Sequence, residues 1–318
     1  MLFMKYQSFI KAVVTFVTAN LPRDYFITVY PVRKNNNYIR DAFVVRGGNN
    51  SPAVYVMPYY RRYKAGVSLS QIQMEITEIF RQVCNSTKGL WNPLFCYDHI
   101  KGHLALQLVN YEENKIWLTS VPHRHFLDMA IIYYIAVSYP DNQWGNIVVT
   151  KQIQQIWKQT EAELYYCAKR NTPQILPPVV SNLFDVVNYL QELDQMEAFS
   201  LTDEIRKNKN NCRDMYFISN KANYYGAVYL CYLGIWKKLA EQVHSNLAVT
   251  ALSVHELVAV PFQKYGRWEI FQEIAERTYV TIPKPNERLS PSVYCFSRKT
   301  GKFSIIGGKK KGYKIWEE

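Results

Sequence analysis

The sequence lacks the patterns that mark several large classes of protein. Its six cysteines lie far apart, with no C-x-x-C pair and no disulfide-rich spacing, which predicts reduced thiols in a cytoplasmic chain. No run approaches the roughly eighteen apolar residues that span a bilayer. Neither a G-x-x-x-x-G-K-[ST] loop nor a G-x-G-x-x-G after a strand occurs, so the usual backbone cradle for nucleotide phosphates is missing. We therefore expect no membrane span and no cofactor.

The first twenty residues also lack the uninterrupted apolar core of a signal peptide. Lys11 splits the apolar stretch, and the apolar side chains around it recur at helical spacing. These side chains are Tyr6, Phe9, Ile10, Val13, Phe16 and Val17. The pattern predicts an amphipathic first helix.

The length of the chain, 318 residues, exceeds the size at which a single core usually stops growing, so we expect two lobes. Strand and helix patterns follow one another without a regular βαβ alternation. They favour an α+β fold, with two lobes of mostly antiparallel sheets covered by helices. We place an N-terminal lobe at 1–100, a C-terminal lobe at 101–306 and a basic tail at 307–318, because Gly89, Pro93 and Gly102 interrupt the patterns near residue 100.

The formal net charge is +12, which favours an anionic partner such as nucleic acid. Residues 1–100 hold 12 basic and 5 acidic residues, a net charge of +7. Residues 101–200 hold 7 and 10, a net −3, and residues 201–318 hold 19 and 11, a net +8. Basic ends therefore flank an acidic middle. Tyrosine is abundant, with 25 residues, and suits half-buried and contact surfaces because its ring packs while its hydroxyl stays in water.

The first hundred residues predict a three-stranded meander, with strands at 25–32, 42–46 and 53–57, and a covering helix over 69–83. Between the sheet and that helix, tyrosines alternate with basic residues, a mixture that can stack on bases and neutralise phosphates. The candidate nucleic-acid contacts are Arg61, Arg62 and Lys64, together with Lys309, Lys310 and Lys311 in the tail. We favour the alternative for the first group, a connection whose rings pack on the sheet edge.

In the second lobe, the β-branched and aromatic run at 130–137 predicts a buried strand. The segments 133–157 and 214–238 share an order of strand, polar turn, glycine, strand and helix, which suggests a repeated ββα unit. The second copy requires a strand at 226–232. A helix that opens at Thr160, with Glu163 at capping-box spacing, is predicted to end at Asn171-Thr172-Pro173.

Several motifs occur in a characteristic order along the chain: NYEENKIWLTSVPHRHFLDMAIIYY at 110–134, the Asn171-Thr172-Pro173 helix end, MYFISN followed by Gly226-Ala227, and SVHELVAVP at 253–261. Together they resemble an uncharacterised domain-of-unknown-function family that is widespread in gut Clostridia. The resemblance covers roughly residues 1–306, and it extends distantly to a second family of Bacillus-type bacteria. It implies a bacterial cytoplasmic protein, often encoded beside mobile genetic elements, and it implies no activity.

His123 and His125 alternate on an extended segment, so both imidazoles would face the same way, with Asp128 close behind. With His99 and His103, spaced i and i+4, they could be considered as metal ligands. A glycine between the latter pair disfavours a helix, and nothing in the sequence holds the two pairs together. We therefore expect no metal site, and we favour a hydrogen bond between His123 and Asp128 that fixes the turn into the buried strand.

Ser253, His255 and Glu256 supply the residue types of nucleophile, base and acid within four positions. Close neighbours on one strand cannot converge as a catalytic triad does. Ser-x-x-Glu is also the spacing of a capping box. The pattern is therefore a weak signal for hydrolysis.

The absence of a catalytic constellation favours a non-enzymatic protein that binds a macromolecular partner, nucleic acid or protein, in a mobile-element or defence context. The alternative is a hydrolytic or metal-dependent enzyme that uses His123, His125 and Asp128, or His255 with Glu256. A second alternative is a homodimer joined through exposed tyrosines and tryptophans.

Overall fold

The computed structural model describes residues 3–46, 54–86, 96–138, 144–183, 185, 214–262 and 268–307. The chain divides into two compact units, Met1–His99 and Ile100–Glu318. Helices combine with mostly antiparallel sheets, so the predicted α+β class is confirmed. Among these residues, no helix is both long enough and apolar enough to cross a membrane.

The first unit contains a three-stranded antiparallel sheet with helices on one side, which confirms the predicted meander. The predicted end of the third strand is wrong, because this strand ends at Tyr55 and a helix begins at Val56. Its elements are α1 (Tyr6–Ala19), β1 (Phe26–Arg33), a 3-10 helix (Asn35–Asn37), β2 (Ile39–Arg46), β3 (Val54–Tyr55), α2 (Val56–Lys64) and α3 (Leu69–Ser86). Every second strand residue faces the helices, as the period of a strand requires. Ile27, Phe43 and Val45 thus join the apolar faces of α1 and α3 in one core.

The edge strand β1 contains a proline, Pro31, at a position where no hydrogen bond to β2 is lost. The N–H of Ile27 donates to Thr18 Oγ1 over 3.2 Å, so this N–H points away from β2. Because the direction repeats every second residue, position 31 faces the same way, and Pro31 has no N–H to present there. A proline on an edge strand discourages pairing with another strand.

The second unit contains two sheets. Its first elements are α4 (Tyr97–Ile100), a 3-10 helix (Lys101–His103), β4 (Leu104–Asn110), a 3-10 helix (Glu112–Asn114), α5 (Lys115–Leu118), β5 (His123–Phe126), β6 (Met129–Ser138), β7 (Trp144–Val148), α6 (Lys151–Trp157), α7 (Glu161–Ile175) and β8 (Pro178–Asn182). There follow β9 (Tyr216–Asn220), a 3-10 helix (Gly226–Cys231), α8 (Leu233–Gln242), β10 (Leu247–Ala251), β11 (Leu257–Pro261), α9 (Trp268–Thr281), a 3-10 helix (Pro285–Glu287), β12 (Val293–Phe296) and β13 (Phe303–Gly307).

The long strand β6 is the centre of the smaller sheet and confirms the buried strand predicted at 130–137. It pairs with β4 along one side, while β5 and β7 share the other side. The larger sheet has the order β13-β12-β10-β11-β9-β8, with antiparallel neighbours throughout.

The strand predicted at 226–232 is wrong, because the chain forms a 3-10 helix at Gly226–Cys231. All six of its residues are buried, and a run that is apolar on every side has no periodicity to separate a strand from a helical turn. Without that strand, 214–238 does not repeat the ββα order of 133–157. A Cβ at Gly226 would lie 2.4 Å from the carbonyl oxygen of His255, so only glycine fits this entry into the turn.

The predicted capping box at Thr160 and Glu163 is confirmed, but α7 does not end at Asn171-Thr172-Pro173. It continues to Ile175 with Pro173 inside it. Proline cannot donate to the carbonyl four residues earlier, that of Lys169. The Tyr232 hydroxyl donates to this carbonyl instead, over 2.8 Å. The Tyr229 hydroxyl donates to the carbonyl of Leu176, so the buried 3-10 segment completes the end of α7.

Candidate functional site

The outward side of the first unit's sheet carries aromatic and basic side chains, and we call it the open face. The cross-strand register places these side chains opposite the core: Phe26, Thr28, Tyr30 and Val32 on β1, Arg40, Ala42, Val44 and Arg46 on β2, and Tyr55 on β3. The helices cover the other side of the sheet.

One row of the open face consists of two rings that flank a methyl group. Tyr30 is paired with Ala42, and Ala42 is paired with Tyr55. Ala42 is fully buried even though it lies on the outward side. Tyr30 is 54% exposed, and Phe26, on the same face of β1, is 48% exposed. Aromatic rings thus remain accessible along this face.

Cations lie among these rings. The Lys34 ammonium is 5.0 Å from the centre of the Tyr55 ring, and the Arg40 guanidinium is 5.7 Å from it. The Arg46 guanidinium is 6.0 Å from the centre of the Tyr30 ring. These are cation–π distances. No carboxylate of the described residues forms an ion pair with any of the three cations.

The acidic residue of β2 points away from the open face. Asp41 lies on the inner side of the sheet and accepts a hydrogen bond from the Tyr6 hydroxyl over 3.0 Å. Burial and this bond to Asp41 raise the pKa of Tyr6 to about 12. The outward strand positions therefore carry cations and rings but no carboxylate.

The basic residues predicted from the tyrosine-rich segment lie on α2, which forms a helix where we expected a connection. We interpreted the segment as a connection whose rings pack on the sheet edge; the rings do pack, but Tyr59, Tyr60 and Tyr63 pack against the core. Arg62 binds both carboxylate oxygens of Glu75, over 2.6 and 2.9 Å. Arg61 is exposed on the same helix.

The other members of that set occupy different surroundings. The Lys64 ammonium lies 4.9 Å from the centre of the Phe3 ring. Lys309, Lys310 and Lys311 lie outside the described residues. A nucleic-acid contact by any of these basic residues stays a prediction.

The predicted hydrogen bond between His123 and Asp128 is wrong. His123 Nδ1 lies 2.9 Å from the carbonyl oxygen of Val121. Asp128 accepts hydrogen bonds from three hydroxyls of a distant segment: Ser290 over 2.6 Å, Ser292 over 2.9 Å and Tyr294 over 2.7 Å. The carboxylate thus joins the β5–β6 turn to the segment that leads into β12, rather than fixing its own hairpin.

The two histidines of β5 face the same way, as the alternation predicts. Their rings flank Tyr111, with ring centres 6.3 Å away for His123 and 4.7 Å away for His125. His99 lies in α4 and His103 in the following 3-10 helix. Within the part of the chain that the structure describes, no three His, Cys, Asp or Glu side chains come together as a metal site.

Ser253, His255 and Glu256 lie in the turn between β10 and β11 rather than on a strand. Ser253 Oγ accepts the backbone N–H of His255 over 3.0 Å, and His255 Nδ1 accepts the backbone N–H of Tyr225 over 3.1 Å. His255 Nε2 faces Glu287 Oε1 at 3.9 Å. Because both ring nitrogens already face partners, the imidazole is not placed to take a proton from Ser253.

The carboxyl groups around this turn are perturbed in opposite directions. Burial raises the pKa of Glu256 to about 7, with a further rise from Glu287 and an opposing effect of His255. Burial alone would raise the pKa of Glu287, but its hydrogen bonds with His255 and Lys284 hold it below the ordinary value. Lys284 Nζ lies 2.9 Å from Glu287 Oε1. Glu287 is therefore the charged partner of the turn.

The segment 287–294 was missed from the sequence, although it contacts both candidate histidine regions. Glu287 lies beside His255, while Ser290, Ser292 and Tyr294 bind Asp128. Its polar residues are ordinary for a loop, and their partner lies more than 160 positions away. The open face was missed too, although a partial signal existed: the predicted strands hold Tyr30, Arg46 and Tyr55, whereas Lys34 and Arg40 lie between the first two of them.

A model of a family of unknown function, DUF5688, matches residues 6–298 of the chain. The resemblance to a domain-of-unknown-function family is thereby confirmed. The chain matches no curated protein and no solved structure.

Proposed function

We propose a nucleic-acid-binding function for this chain, which belongs to the family of unknown function DUF5688. The interface of the proposal is the open face of the first unit. The observation that carries it is the set of three cations, Lys34, Arg40 and Arg46, which lie beside the rings of Tyr30 and Tyr55 and pair with no carboxylate of the described residues.

Arginines elsewhere in the protein support this choice by contrast. Arg62 is neutralised by Glu75, Arg124 by Glu161 and Arg298 by Glu241, at 2.6, 2.9 and 2.8 Å. Cations in such pairs give little net attraction to an incoming anion. The three cations of the open face have no such pair among the described residues, and they lie in a segment whose net charge is +7 over residues 1–100. A polyanion is the partner with complementary charge.

The cellular setting in the proposal follows from the family resemblance. We place the protein in the bacterial cytoplasm, where it binds nucleic acid in the context of mobile genetic elements or defence. No enzymatic activity is part of the proposal, because both His255 ring nitrogens face other partners and the Ser253 hydroxyl oxygen accepts the backbone N–H of His255.

A salt series tests the proposal. Fluorescence anisotropy with a labelled oligonucleotide should show binding that weakens as salt rises. Three neutralised phosphates correspond to a slope of about −2 in log K against log salt, so affinity should fall roughly 20-fold between 50 and 200 mM salt. The triple variant Lys34→Ala, Arg40→Ala and Arg46→Ala should abolish this slope, since it removes the three counter-charges.

The control is Lys11→Ala, which removes one positive charge from the exposed side of α1, a helix that packs on the other side of the sheet. It should change the affinity less than twofold. If the wild-type protein binds no oligonucleotide, or if the triple variant binds as tightly as Lys11→Ala, the proposal is wrong. A protein partner, or a dimer in a mass measurement, then becomes the explanation of the open face.

A further inference from the structure

We infer that the open face recognises unpaired bases, by stacking them on the rings of Tyr30 and Tyr55, and that it therefore selects single-stranded over duplex nucleic acid. The inference rests on the proposed function and narrows its substrate class. Charge alone would attract both forms, so the selection must come from the rings.

The spacing of the two rings suits two separate bases. Tyr30 and Tyr55 are on strands two intervals apart, which is about 9.6 Å at the usual spacing of neighbouring strands. Between them stands Ala42, whose methyl group is the shortest side chain with a Cβ and is fully buried. Tyr30 is 54% exposed and Tyr55 is half-buried, so each ring keeps accessible surface on which a flat base can lie.

A paired base cannot use such a surface. Inside a duplex both faces of each base are covered by its neighbours, and only the edges are accessible from the grooves. An unpaired base exposes its face, and base–aromatic stacking is the common way in which sheets and grooves bind single strands. Rings presented by a sheet, without a helix or ribbon that enters a groove, therefore fit the unpaired strand.

The cations complete the arrangement. Lys34 and Arg40 lie beside the ring of Tyr55, and Arg46 lies beside the ring of Tyr30. Each stacking position thus has at least one long side chain that is not held by a carboxylate of the described residues and can reach a phosphate next to the stacked base. The phosphates and the bases of one strand are bound by neighbouring groups of the same face.

The experiment compares a labelled single strand with a hairpin of the same base composition, each as RNA and as DNA, at one fixed salt concentration. The wild-type protein should bind the single strand at least tenfold more tightly. Tyr30→Ala and Tyr55→Ala should each weaken single-strand binding about tenfold, within the range known for loss of one stacking ring. Neither should change the weak binding of the hairpin more than twofold.

Two further variants separate stacking from other effects. Tyr30→Phe keeps the ring and should stay within twofold of the wild type, which shows that the ring rather than the hydroxyl is used. Tyr166→Ala removes a tyrosine that is 71% exposed on α7 and should leave the affinity unchanged. Because Tyr30 is largely exposed, its substitution leaves the fold intact, and melting curves of both tyrosine variants verify this.

The outcomes distinguish failure of this inference from failure of the proposed nucleic-acid-binding function. If the wild-type protein binds neither form, the proposed function is wrong and the inference is wrong with it. If it binds the hairpin as tightly as the single strand, or if Tyr30→Ala and Tyr55→Ala change nothing while the charge variants do, the inference alone is overturned.

Discussion

Replacing Glu256 with glutamine should stabilise the second unit at pH 8 and leave it unchanged at pH 4. Glu256 is buried in the turn between β10 and β11, with His255 and Glu287 as its charged neighbours. Glutamine keeps the shape of the side chain and is neutral at every pH. The comparison therefore isolates the free energy of holding a charge at this position.

The magnitude follows from the pKa of Glu256, which burial raises from 4.5 to about 7. At 1.36 kcal/mol per pH unit, this difference corresponds to about 3 kcal/mol of unfolding free energy. Because the folded protein holds the proton more tightly than the unfolded chain, the stabilisation is complete below pH 4.5 and is lost as the pH rises to about 7. Above that pH the wild-type protein should be about 3 kcal/mol less stable than Glu256→Gln.

Tryptophan fluorescence is a suitable probe, since six of the seven tryptophans lie in the second unit. Urea unfolding of both proteins at pH 4, 5, 6, 7 and 8 should give curves that coincide at the acidic end and separate progressively. For a unit of this size, about 3 kcal/mol corresponds to a difference in melting temperature of roughly 6 to 12 °C at pH 8. Glu273→Gln, an exposed change on α9, serves as the control and should shift stability by less than about 0.5 kcal/mol.

Parallel loss of stability in the wild type and Glu256→Gln across this pH range would refute the reasoning. It would mean that the carboxyl group is as well solvated, or as well paired, in the folded protein as in the unfolded chain. A variant that is less stable at every pH would refute it too, because the charged form would then be the one that the fold prefers.

Two substitutions test the contacts that hold the second unit together. Gly226→Ala should destabilise it by about 1 to 3 kcal/mol, because the new Cβ would lie 2.4 Å from the carbonyl oxygen of His255. Gly234→Ala, in the first turn of α8, should stabilise the second unit by about 0.5 to 1 kcal/mol, because nothing lies within 4 Å of the new Cβ. Equal changes in unfolding free energy for the two glycine variants, measured in urea, would contradict this reasoning. Asp128→Ala should lower the free energy of unfolding by about 3 kcal/mol, since it leaves three hydroxyls without their acceptor. The control, Asp24→Ala at an exposed position, should lower it by less than about 0.5 kcal/mol. An equally small loss for Asp128→Ala would show that the three hydrogen bonds contribute little.

The elements that could be predicted from the sequence are those with their own local signal. The strand β6 carries a long β-branched and aromatic run, α3 has an apolar face at helical spacing, and α7 opens with a capping box. The segment 226–232 has no such signal. Its 3-10 conformation depends on burial on every side and on the close approach of the His255 backbone to Gly226, which only the folded chain provides.

The same distinction explains which site residues could be found. Tyr59 to Lys64 attract notice because rings and cations are adjacent in sequence, but a helix spreads adjacent residues around its axis and turns these rings into the core. In a sheet, the residues that share a face alternate along each strand and come from several strands. Tyr30, Ala42 and Tyr55 form a row only through the register of three strands, which the strand patterns alone do not fix.

The proline inside α7 has a consequence for the order in which the second unit folds. The first turn of this helix is complete within four residues, since Thr160 and Glu163 bond each other's backbone. Its last turn is not a local structure, because the carbonyl of Lys169 accepts its hydrogen bond from the Tyr232 hydroxyl, 63 residues later in the chain. Helix α7 therefore nucleates at its N-terminus and is completed at its C-terminus only by a contact between distant segments. During synthesis, the carbonyl of Lys169 stays bonded to water until Tyr232 has been made.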